Sequence, residues 1–177
     1  MRTIRRTGTV LAAVAALAAC VRTPPVERPA AGRPTQSPAP LVGGLVDRRI
    51  DGGTRGAVSR AGADLQRCAA ELTAARVRFS PVPDRVDTGT CGLTDAGVLG
   101  PDLGTVARMT PGDVTMTCET ALALSVWRRQ SLEPAAREIL GSEVVQIDHF
   151  GVYACRPVNN GRGSTRPSTH GRAAALD

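Results

Sequence analysis

Four cysteines, spread from Cys68 to Cys155, constrain this chain more than any other feature, because little else in it can hold a fold together. Aromatic residues make up 2% of the 177 positions, so a core must come from Val, Leu, Ile and Ala. Small side chains bury little apolar surface, and a thin core needs covalent staples. An even set of cysteines in an exported chain reads as two disulfides. Several connectivities are open. Joining each helix to a nearby strand or loop pairs Cys68 with Cys91 and Cys118 with Cys155, each bond contributing ~3–4 kcal/mol by restricting the unfolded chain. Zinc ligation is the competing use of cysteine, but no C-x-x-C pair supports it.

Export is read from the N-terminus. Arg2, Arg5 and Arg6 form a basic segment, and Val10 to Ala19 is an apolar run too short to span a bilayer as a mature helix. It ends in Leu17-Ala18-Ala19-Cys20, which resembles the bacterial lipobox. That resemblance implies cleavage before Cys20 and acylation of its thiol and new amine, with each buried methylene stabilising the anchor by ~0.8 kcal/mol. Ordinary secretory cleavage, with Cys20 incidental, is the alternative. Val21 is not a retention Asp, so in a diderm host the expected location is the outer membrane, facing the periplasm. All 22 basic residues are Arg, and losing residues 1–19 lowers the net charge of +6 by three. The remaining balance suits a neighbourhood of anionic polymers. No clustered basic face with aromatics is present, so nucleic acid is not an expected partner.

Residues 20–56 are rich in Pro and Gly and lack an apolar period, which predicts an extended spacer, with a single domain over 57–177. Within it, Leu65, Cys68, Ala69, Leu72 and Ala75 recur at helical spacing and predict a helix over Ser59–Ala75. Val77-Arg78-Phe79 reads as a strand closed by Pro81 and Pro83, and residues 91–99 as irregular. Thr117 caps a second helix to about Arg129, with a face of Cys118, Ala121, Leu122 and Ser125. Pro134 and Gly141 bracket a third over Glu133–Leu140. Glu143–Asp148 and Val152–Arg156 predict a hairpin through His149-Phe150-Gly151, followed by a polar loop from Asn159. The sum is an α+β domain, N-terminal helices followed by a small antiparallel sheet.

His170 and Asp177 are the residues with evident chemistry, since imidazole and carboxylate both ligate zinc. On a helix their seven-residue spacing is ~10.5 Å of rise, and fully extended it is ~23 Å. They meet at one ion only if the chain bends back between them. Gly171 and Ala173-Ala174-Ala175 are small enough for such a passage, although an Ala-rich run also suits a helix.

The segment Ser168 to Asp177 (STHGRAAALD) resembles S-x-H-x-x-[GA]-x-A-x-D, a motif of the D-Ala-D-Ala carboxypeptidase and hedgehog-like zinc fold. Further landmarks follow in order. They are Cys68 with Leu72, the Val77-Arg78-Phe79 strand with Pro81 to Pro83, Cys91-Gly92, Met116-Thr117-Cys118 with Ala121 and Trp127, and Tyr153-Ala154-Cys155-Arg156. Together these resemble the bacterial extensin-like C-terminal domain family from about residue 60 onward. The family name implies no plant-extensin chemistry. The resemblance implies that His170 and Asp177 match two zinc ligands and that Ser168 orients the loop. In the family a third His ligand and a general base lie further on, in a segment this sequence does not contain. The other histidine, His149, falls at the predicted hairpin turn and is expected to be solvated. The chain therefore reads as a truncated member, with Asp177 lacking the strand that would hold it and zinc bound weakly at most.

Two functions follow. The first is descent from zinc-dependent peptidases acting on peptidoglycan peptides through metal-bound water, inactive here because the third ligand and base are missing. The second is a non-catalytic, cell-wall-binding or structural envelope lipoprotein, its Arg side chains meeting stem-peptide carboxylates.

Overall fold

The computed structural model describes residues 44–159 and 165–177. The expected signal peptide (1–19), the expected lipidation residue Cys20 and the expected spacer through residue 43 lie outside the described residues. Among those described, no helix is long and apolar enough to cross a membrane.

Where periodicity predicts one helix over Ser59–Ala75, the chain forms two, α1 (Thr54–Gly62) and α2 (Leu65–Ala74). The break follows from Gly62 and Asp64. A Cβ at Gly62 would lie 2.5 Å from the Glu119 Cβ, so α1 ends where another helix approaches its backbone. Asp64 then restarts the helix, its carboxylate accepting from the Arg67 amide at 2.8 Å. Residues 44–53, assigned to the spacer by composition, also touch the domain. Val46 is fully buried, its carbonyl accepts from Gln130 at 2.9 Å, and the Leu45 amide donates to Glu71 at 2.8 Å.

After Arg76, in the left-handed region at φ 60, strand β1 (Val77–Pro81) begins as expected and runs on to Pro81. It pairs antiparallel with β4 (Ala96–Asp102), which pairs antiparallel with β6 (Val114–Thr117), in the order β1-β4-β6. Phe79 faces Leu99, and Val98 faces Thr115. The central strand thus comes from a stretch read as irregular. Its Gly97 resembles a breaker but is a packing residue, since a Cβ there would meet the Phe79 ring at 2.5 Å. A ribbon precedes it, exposed β2 (Arg85–Thr88) antiparallel to β3 (Cys91–Leu93), whose Leu93 is buried in the core.

The expected hairpin of Glu143–Asp148 with Val152–Arg156 does not form. Instead β7 (Gln146–Asp148) pairs parallel with β5 (Arg108–Thr110), Met109 opposite Ile147. The chain beyond Phe150 exchanges backbone hydrogen bonds with the last residues. The Ala154 amide donates to the His170 carbonyl at 3.1 Å, Ser168 to Arg156 at 3.0 Å and Val158 to Arg166 at 2.8 Å. Those acceptors outcompete the predicted partner strand.

Helix α3 (Cys118–Trp127) is capped by Thr117 and buries Cys118, Ala121, Leu122, Ser125 and Val126. It continues without interruption through wider turns over Arg128–Leu132, a single α-helical turn α4 (Glu133–Ala135), and wider turns again over Ala136–Leu140, ending at left-handed Gly141. Pro134 lacks the amide that would bond four residues back, which favours the widened ladder.

Helices α1, α2 and α3 and the three-stranded sheet enclose one core of Val, Leu, Ala, Met and half-cystine side chains. Its crosslinks differ from the expected pairs. Cys68 bonds Cys118, with Cα atoms 6.1 Å apart, and Cys91 bonds Cys155 at 5.7 Å. Helix packing decides this: α2 lies against α3, which brings two fully buried cysteines together across 50 residues. A charged cluster that sequence reasoning did not find crosses the same region. Asp102 accepts from both Arg128 and Arg129, Arg129 also reaches Asp47 at 2.6 Å, and Arg128 lies 4.0 Å from Glu133. Burial pushes the Arg128 guanidinium down to about 10, against the pull of Glu133.

Candidate functional site

The chain between His170 and Asp177 does bend back. Ser168 caps a single 3₁₀ turn, Thr169–Arg172, its hydroxyl accepting from the His170 amide at 3.3 Å. Ala173 then takes a left-handed conformation at φ 53 and reverses the direction. This is the Gly-or-Ala position of the motif, and the reason is visible. A side chain larger than methyl would have to fit a fully buried position in a conformation that disfavours any Cβ. The Ala173 carbonyl accepts from the Thr117 amide at 3.0 Å, tying the bend to the start of α3.

Asp177 is not a frayed end. Its amide donates to Gly151 at 3.1 Å and its carbonyl accepts from Phe150 at 2.7 Å. The expectation that this residue lacks support is corrected by those two bonds. Its side chain stays 55% exposed, with Oδ2 3.9 Å from Arg156 and Oδ1 3.1 Å from the His170 Nε2.

The imidazole is oriented from its other side. His170 Nδ1 lies 2.7 Å from the Val152 carbonyl oxygen, which can only accept, so Nδ1 carries the hydrogen. In the neutral ring Nε2 then holds a lone pair facing a carboxylate oxygen. Two acceptors at 3.1 Å attract only if they share a positive species, either a proton or a metal ion. Two donors on one tetrahedral zinc lie roughly 3.3 Å apart, given ~2.0–2.2 Å bonds to nitrogen and oxygen, so the pair fits as half of a metal site. A carbonyl on the remote nitrogen is the usual partner of a ligating histidine. Among the described residues, no third His, Cys, Asp or Glu completes a metal-holding group. These donors do not make up a catalytic zinc set.

His149 does not supply the missing donor, and it is not the solvated turn residue expected. It is 8% exposed, its Nε2 is 2.8 Å from the Pro111 carbonyl, and its Nδ1 is buried without a hydrogen-bond partner. The residue lies along a cavity of about 480 Å³ that reaches Asp177 between Leu124, Trp127, Ile147 and Leu176. Trp127 is 44% exposed there, on the face of α3 that also exposes Glu119 and Ala123.

Tyr153-Ala154-Cys155-Arg156 frames the site. Its tyrosine hydroxyl donates to Asp87, and the Arg85 guanidinium sits 5.4 Å from the ring centroid while bonding Asp87 at 3.0 Å. The hydrogen bond to Asp87 raises the phenol's pKa above its usual 10.0 and lowers that of the carboxyl. The cysteine bonds Cys91, whose sulfur packs on Gly171, the neighbour of His170, where a Cβ would come within 3.0 Å.

Two helices stapled to each other beside a small sheet, with the motif histidine and aspartate drawn together by a reversed 3₁₀ turn, define an α+β domain of the disulfide-stapled class. The family model described as Extensin-like protein C-terminus matches residues 66–177. The chain belongs to this extensin-like C-terminal family. No curated protein and no solved structure matches it.

Proposed function

We propose that the protein is a lipid-anchored envelope protein whose extensin-like domain is related to zinc-dependent peptidoglycan peptidases, and that this chain engages wall peptides without hydrolysing them. The observation that carries the reading is the His170 Nε2–Asp177 Oδ1 pair with Nδ1 committed to Val152. That arrangement is built to share a cation. A bound zinc would act as a Lewis acid there, but among the described residues only these two side-chain donors meet. What its own residues do is hold and orient: Val152 fixes the ring, Gly151 and Phe150 fix the Asp177 backbone, and Arg156 faces its free oxygen. The lipobox-like Leu17-Ala18-Ala19-Cys20 supports the envelope location, as do the two disulfides, which persist in oxidising compartments.

Binding without cleavage also has surface support. Exposed Arg172, two residues from His170, lines a cavity of about 460 Å³ together with Arg85, beside Asp95 and Glu119, and guanidinium pairs bidentately with carboxylates such as those of stem peptides. Sedimentation with purified sacculi tests both halves. The expected result is co-sedimentation that weakens in Arg172→Ala, with no soluble muropeptides. Released muropeptides would overturn the non-catalytic reading, and failure to sediment would overturn the wall partner.

A further inference from the structure

We infer that Cys91–Cys155 is a thiol–disulfide exchange site for an external dithiol partner, and that its state sets the orientation of the His170 imidazole. The two disulfides are unlike in their surroundings. Cys68 and Cys118 are both fully buried in the core, where no thiolate can approach in line with the bond. Cys155 is exposed, Cys91 is half-buried, and both border an open cavity of about 310 Å³ that also includes Thr88 and Arg156. The Thr88 hydroxyl lies 3.4 Å from the Cys155 sulfur. Exposed disulfides are the exchange-labile ones, and a neighbouring cation or hydroxyl stabilises a departing thiolate.

The steps balance. A thiolate of the dithiol attacks the exposed Cys155 sulfur, a bond to Cys155 forms, the Cys91–Cys155 bond breaks, and Cys91 leaves as thiolate. The second thiolate of the partner attacks the partner's own first sulfur and expels Cys155 as thiolate beside Thr88 and Arg156. Both cysteines take protons from solvent. The partner ends as a disulfide, having supplied two electrons.

The consequence reaches the site through short connections. Cys155 is flanked by Ala154, whose amide donates to the His170 carbonyl at 3.1 Å, and by Arg156, which faces Asp177 at 3.9 Å. Val152, three residues before Cys155, supplies the carbonyl that holds His170 Nδ1 at 2.7 Å. On the other half of the bond, the Cys91 sulfur is the surface on which Gly171 packs. Releasing the bond frees the segment that fixes the imidazole from both directions. The significance for metal binding rests on the reading of His170 and Asp177 proposed above; exchange and ring orientation do not.

The test uses the full oxidised chain and dithiothreitol as the probe dithiol. Samples equilibrated across a concentration series are alkylated and peptide-mapped, and the His170 ring nitrogens are followed by long-range ¹⁵N–¹H spectra. The expected result is labelling of Cys91 and Cys155 at roughly tenfold lower dithiothreitol than Cys68 and Cys118, with the Nδ1–H signature of His170 lost in that selectively reduced state. The Cys91→Ser, Cys155→Ser double variant, which keeps Cys68–Cys118, should show the same His170 spectrum as the reduced protein. Simultaneous labelling of all four cysteines would overturn the exchange site. An unchanged His170 spectrum after selective reduction would overturn the coupling. Zinc ion added to both states separates the readings: absence of binding in the oxidised protein rejects the metal proposal, while the labelling and ring spectra still decide this one.

Discussion

Ala173 shows how one residue makes the site. With φ 53 and no exposed surface, it converts a seven-residue separation into a 3.1 Å contact. Ala173→Val, β-branched and overpacked at a left-handed position, should cost about 2 kcal/mol or more in urea unfolding. Ala173→Gly should be tolerated. The requirement for a bend was legible from the motif and its small residues; its left-handed form was not, because an Ala run carries no signal for it. A second residue is open to direct titration. Tyr153 is the chain's one tyrosine, so absorbance of its phenolate reports it alone. Its hydrogen bond to Asp87 places the midpoint above 10.0, and Asp87→Asn should move it down towards the ordinary value. A folded pKa raised in this way means that the contact's contribution is present below pH 10 and is lost as the phenol ionises. For Asp87 the sense is reversed: its contribution holds above the usual 3.8 and disappears as pH falls through its lowered folded value.

Among the elements, helix and strand types were read better than their partnerships. Leu65, Cys68 and Leu72 announced α2, and Thr117 announced the cap of α3, because spacing and caps are local. The disulfide pairing failed because proximity along the chain says nothing about α2 lying on α3. Strand β4 was missed because Gly97, Gly100 and Pro101 look like breakers, although Gly97 makes room for Phe79. The Asp102 network was hidden for the same reason: its ionic partners are 26 and 27 residues away. Removing its hub leaves the buried Arg128 guanidinium with only Glu133 at 4.0 Å, while Arg129 keeps Asp47, so Asp102→Ala should cost about 3–5 kcal/mol by urea unfolding. Burial holds Arg128 down to about 10, so it is still charged at neutral pH, where that penalty is read. A penalty under about 1 kcal/mol would show that the cluster is a surface ion pair in effect.

For the whole molecule, composition foresaw an α+β domain with a thin aliphatic core and two staples, and the described residues have that form. Ile is the exception: Ile50 and Ile139 are exposed, and Met116 fills core space that composition assigned to branched side chains. The proposed anchor has its own test. Mass spectrometry of the mature N-terminus should find acylated Cys20, and an intact thiol within a longer chain would refute lipidation. The central claim is that His170 and Asp177 form an oriented but incomplete cation site. Calorimetric titration with zinc ion, run on the wild-type chain beside His170→Ala and Asp177→Asn, tests it most directly. The account predicts weak binding in the wild type that either substitution abolishes. Tight binding at one equivalent would contradict the incompleteness of the site, and binding indifferent to His170 would contradict the site itself.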